Sequence, residues 1–97
     1  MKFKLTAKQK LSVTEFGTPE PVMCVSPAGD GVFDADSLPF ARRDCNTYVR
    51  DYCEAKGFKM RTQKDWTKNL KTKALEKQVM VQNGSKPETY IFTLETL

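Results

Sequence analysis

The sequence predicts an α+β domain, a small antiparallel sheet packed against one helix at about 38–56. Three observations predict it. Leu38, Ala41, Cys45, Tyr48, Tyr52 and Ala55 recur at spacings of three and four, which marks one face of a helix. Short apolar/polar alternations flank that segment on both sides, as half-buried strands do. No strand–helix–strand repeat of the parallel kind is present. The 97 residues suffice for one domain, 1–97, with a modest core, since Leu, Ile, Val and Phe together make 21 of them.

Phe3 and Leu5 alternate with Lys2 and Lys4, which predicts a first strand. A polar Ala-Lys-Gln-Lys stretch follows. Leu11 and Val13 then alternate with Ser12 and Thr14 as a second strand. Gly17-Thr18-Pro19-Glu20-Pro21 reads as a turn. Val22-Met23-Cys24-Val25 reads as a third strand before the loop Pro27-Ala28-Gly29-Asp30-Gly31. Val32 and Phe33 anchor that loop to the core.

Asp36 or Ser37 can cap the helix, and Pro39 suits its first turn. Gly57 is placed to end it. Phe58, Met60 and Thr62 alternate with Lys59 and Arg61 in a strand leaving the helix. Trp66, Leu70 and Ala74, four apart, predict a second helix at about 64–77. Val79 and Val81, then Tyr90, Phe92 and Leu94, predict a C-terminal β-hairpin. Its loop, Asn83 to Pro87, is longer than the minimum. A winged helix is the rival architecture. It wants a further helix directly before the basic one, where this chain has a strand.

Composition excludes more than it identifies. The chain has no His, which removes Ser-His-Asp and Cys-His catalysis and every His-containing metal site. Cys24, Cys45 and Cys53 show no CxxC spacing. Cys45 and Cys53, eight residues apart on one helix, would stand about 12 Å apart, too far for a disulfide. They read as small buried hydrophobes. A reactive thiolate near Arg42, Arg43 and Arg50 is the alternative, and it lacks a base. Asp30, Asp34 and Asp36 do not have calcium-loop spacing. No enzyme, cofactor or metal is expected. Lys4, Lys8 and Lys10 interrupt any signal-peptide core, and no stretch approaches a membrane span. A cytoplasmic protein with no membrane partner is expected.

The net charge of +4 is unevenly spread. Residues 37–78 carry a net charge of +6, while 1–36 and 79–97 each carry −1. Such a basic middle segment suits phosphate contact. The residues expected to make it are Arg42, Arg43, Arg50, Lys59, Arg61, Lys64, Lys68 and Lys71. Arg43 and Arg50, seven apart, share a helix face, and Lys59 and Arg61 share a strand face. Asp44, Asp51 and Glu54 are interleaved and should neutralise part of this charge in ion pairs. The functional expectation is a non-catalytic small binding protein that engages nucleic acid or a nucleic-acid-handling complex.

One resemblance bears on origin. From Gly29 to Gln63 the chain resembles small accessory proteins of tailed phages. The residues carrying it are Gly29-Asp30-Gly31-Val32-Phe33, Ala41-Arg42-Arg43, and Gly57-Phe58-Lys59-Met60-Arg61-Thr62-Gln63. Gln63 stands where Arg is usual, and a Lys-rich insertion precedes the last strands. The resemblance implies a viral or mobile-element origin and a host-cell cytoplasmic setting. It supplies the alternative function, an inhibitor that binds and blocks a host protein of the defence or transcription machinery. It carries over no catalytic residue.

Overall fold

The computed structural model describes residues 1–23 and 28–97. The elements run β1 (Lys2–Lys10), β2 (Glu20–Pro21), β3 (Val32–Asp34), α1 (Leu38–Ala55), β4 (Lys59–Gln63), β5 (Thr67–Lys68), β6 (Leu75–Asn83) and β7 (Lys86–Thr96). The strands form one antiparallel sheet in the order β2-β1-β7-β6-β4. β3 pairs with β1 beside β2, and β5 pairs with β6 beside β4. This is the α+β class, with α1 the single helix among the described residues. No described helix is long and apolar enough to cross a membrane.

Helix α1 forms where its spacing predicts. Pro39 occupies its first turn, and Gly57 takes the left-handed conformation (φ 75°) that stops it. Ser37 stands at the N-cap, but its side chain makes no capping bond. The buried face is Ala41, Cys45, Val49, Tyr52 and Cys53, whereas Leu38 and Ala55 are exposed. It packs on Phe3, Leu5 and Ala7 of β1, Val79 and Val81 of β6, and Phe92 and Leu94 of β7. Burying each large side chain contributes about 1.5–3 kcal/mol before entropy is counted. The Tyr52 and Phe92 rings meet edge to face at 5.3 Å. Among the described residues the opposite face of the sheet carries no helix.

The expected helix at 64–77 does not exist. That segment holds β5, a turn and the start of β6. Asn69 explains the break: its Oδ1 accepts the backbone N–H of both Lys71 and Thr72, an Asx turn that competes with helix. Leu70 is 85% exposed, so the spacing of Trp66, Leu70 and Ala74 was no buried face. With no other α-helix among the described residues, the winged-helix alternative falls.

The expectations for the strand at 11–14, the polar stretch before it and the loop at 83–87 are also corrected. Leu11 to Glu15 is a loop at the tip of the β1–β2 hairpin, closed by the Ser12 hydroxyl, with Leu11 and Val13 exposed. The polar stretch before it belongs to β1, which runs on to Lys10. Of the expected strand at 22–25, Val22 is fully buried, and Cys24 and Val25 lie outside the described residues. The β6–β7 hairpin closes more tightly than expected: Asn83 pairs with Lys86 across Gly84-Ser85. Gly84 supplies the positive φ (61°) such a short turn requires.

Candidate binding surface

The sequence-predicted basic residues fall on the outer flank of α1 and on the β4–β5 edge beside it. Arg42, Asn46 and Arg50 follow at four-residue spacing, so the two arginines stand about 12 Å apart along the axis. This flank faces the segment between β4 and β5. Trp66 Nε1 donates to Asn46 Oδ1 at 2.9 Å. Arg42, Asn46, Asp65 and Trp66 line a polar recess of about 480 Å³. Trp66 is half-buried and is the chain's one tryptophan.

Beneath it lies Lys77, a cation in the helix-facing row of β6 and 5% exposed. Its stem follows the core, and its ammonium escapes sideways. Nζ donates to the Lys64 carbonyl at 3.2 Å and stands 5.8 Å from the Trp66 ring centre. Burial pushes its pKa down, while the Asp65 carboxylate opposes that shift. Lys77 thereby ties the 64–66 segment to the sheet.

Not all eight residues converge. A bulge in β4 separates Lys59 from Arg61: Lys59 pairs with Gln82 and Thr62 with Met80, leaving Arg61 as the extra residue. The expected shared strand face is therefore broken. Lys59 shares the helix-free face with Thr62 instead. Lys64 follows β4, Lys68 pairs opposite Leu75, and Lys71 belongs to the turn beyond β5.

The expected neutralisation by helix ion pairs is nearly absent. Among the described residues two ion pairs form, Arg43–Asp44 at 3.7 Å and Lys56–Glu20 at 3.4 Å. Both are exposed. Arg43 also places its guanidinium 4.8 Å from the exposed Phe40 ring. Arg42, Arg50, Lys59, Arg61, Lys64, Lys68 and Lys71 enter neither pair.

A second basic row escaped the sequence reading. Lys2, Lys4, Lys8 and Lys10 occupy alternate positions of β1, on the face away from α1. The signal was their two-residue spacing, hidden because the Ala-Lys-Gln-Lys stretch read as a break in the strand. Lys4, Thr6 and Lys8 floor an open trough of about 420 Å³, with Thr93 and Glu95 of β7, Glu76 of β6, and walls at Pro19, Pro21 and Thr72.

The thiols sit elsewhere. Cys45 and Cys53 are 0% and 1% exposed. Burial, with Asp44 nearby for Cys45, pushes their pKa values up to about 12 and about 11. Neither is an available nucleophile at neutral pH. Cys24 lies outside the described residues. Comparison of the chain with protein families, with curated proteins and with solved structures finds no match.

Proposed function

We propose that the protein is a non-catalytic binding module whose basic segment 42–73 engages nucleic acid or a nucleic-acid-handling complex. One observation carries this reading: of the eight basic residues, Arg43 alone forms an ion pair among the described residues. The others are solvent-facing charges whose counterions a polyanion would displace. Arg42 and Arg50 are the central contacts, because a planar guanidinium suits phosphate. Trp66 stands beside Arg42 and reports occupancy of the recess.

A second reading has support of its own. Leu38 and Phe40 are exposed at the start of α1 beside Arg43, an apolar centre with a charged rim. That composition suits a protein partner, as for a phage-type inhibitor of a host enzyme.

Titrating labelled single- and double-stranded DNA and RNA at several salt concentrations separates the two. The nucleic-acid reading expects a steep salt dependence and quenching of Trp66 emission. Arg42→Glu with Arg50→Glu should flatten the slope by about 2. Absence of binding at low salt overturns it in favour of a protein partner, and an unchanged slope in the double variant removes the α1 flank as the site.

A further inference from the structure

We infer that the helix-free face of the sheet binds an extended single strand of nucleic acid, its phosphates along β1 and its bases across β7. This face is distinct from the α1 flank. Lys2, Lys4, Lys8 and Lys10 share one register, and neighbours two residues apart stand about 6.7 Å apart along the strand. None of the four enters an ion pair among the described residues. The row is interrupted by Thr6 alone.

The acids on this face assign the other side of the ligand. Glu95 lies opposite Lys4 on β7, and Glu76 lies opposite Thr93, one strand further on. Their strands lie about 5 and 10 Å from β1. They repel a phosphate and confine it to the lysine row. As acceptors they favour the exocyclic amines of bases, as a carboxylate accepts from cytosine N4. Glu76 already accepts a long bond, 3.4 Å, from Asn69. Thr6 stands within the lysine row and Thr93 opposite it on β7, between Thr6 and Glu76, and both offer hydroxyls to sugars or base edges.

Phe16 completes the face. It pairs with Lys10, so its ring emerges on the same side, 45% exposed, with Lys8 4.6 Å from its centre. It lies on the β2 side of β1, away from β7, and bounds the lysine row on that side. The trough is lined about equally by polar and apolar surface and is half open, which leaves room for a strand to pass through.

The test measures anisotropy of short labelled oligodeoxycytidine and oligothymidine, with Trp66 emission followed in parallel. The proteins are wild type, Lys4→Glu/Lys8→Glu, Lys4→Gln/Lys8→Gln, Glu76→Ala/Glu95→Ala and Arg42→Glu/Arg50→Glu. Circular dichroism checks each fold. Wild type should prefer oligodeoxycytidine by about tenfold. Either lysine variant should lose about tenfold or more in affinity for both probes. The glutamate variant should keep its affinity for oligothymidine and bind oligodeoxycytidine no better than that. Trp66 emission reports the α1 flank alone and should respond alike in wild type and in the lysine and glutamate variants. If the folded lysine variants bind like wild type, or the glutamate variant keeps its preference, the inference is overturned. Wild-type affinity in the lysine variants, with quenching and a loss confined to the arginine variant, overturns it while leaving the α1-flank reading intact. No binding by wild type overturns both.

Discussion

Tyr52, buried on α1, donates its hydroxyl to the Glu20 carboxylate of β2 at 2.5 Å. The bond fastens a two-residue edge strand to the helix. Lys56 approaches the same carboxylate from the helix end. The Tyr52 bond is the main cause that holds the Glu20 pKa below its usual 4.5, ahead of the opposing burial and the Lys56 charge. Burial and the same bond push the Tyr52 hydroxyl well above its usual 10.0.

Tyr52→Phe should therefore cost about 1–2 kcal/mol at neutral pH. The cost should depend on pH with a definite sign. Glu20 is lowered in the fold, so its contribution is present above pH 4.5 and fades as pH falls below that value. Tyr52 is raised in the fold, so its contribution is present below pH 10 and fades as pH rises beyond it. Urea unfolding of both proteins from acid to alkaline pH should give a difference with a plateau between those limits. A pH-independent difference would show that the bond does not form.

Gly31 and Gly57 both hold positive φ, 74° and 75°, yet they should respond differently to alanine. A Cβ at Gly31 would stand 2.5 Å from the Leu5 carbonyl oxygen, which is backbone and cannot yield cheaply. A Cβ at Gly57 meets nothing within 4 Å. Gly57→Ala should cost about 1–2 kcal/mol, the conformational strain alone. Gly31→Ala should cost more, because strand β1 must shift. Equal losses of thermal stability would contradict the close approach.

In a Cys24→Ser background, Cys45 and Cys53 should resist thiol reagents at pH 8 and react fully in urea. Their burial and raised pKa values both require it. Rapid labelling of the folded protein would return the thiolate enzyme to consideration.

Helix α1 was legible because its burial pattern and its punctuation, Pro39 and Gly57, agree. The 64–77 segment misled because a spacing of four signals a helix only if one surface covers every apolar member. Trp66 leans on Asn46, Ala74 is buried at the start of β6, and Leu70 faces water. Leu11 and Val13 misled for the same reason, since alternation means a strand only where a partner pairs with it. The charge at Arg42 and Arg50 was legible as composition. The recess beside Arg42 was not, because it depends on Trp66 reaching a helix twenty residues earlier. The bulge that removes Arg61 from the Lys59 face left no signal in the residues themselves.

The pairing of β1 with β7, from Phe3 opposite Thr96 to Lys10 opposite Thr89, also sets an order of events during synthesis. β6 and β7 are joined by a two-residue turn and can zip locally, and β1 has the short strands β2 and β3 within reach, but its longest partner lies at the other end of the sequence. Until β7 leaves the ribosome, Phe3, Leu5 and Ala7 join only those two short strands. For that interval the nascent segment presents a half-covered apolar row to other chains, and the lysines on its opposite side favour dispersal.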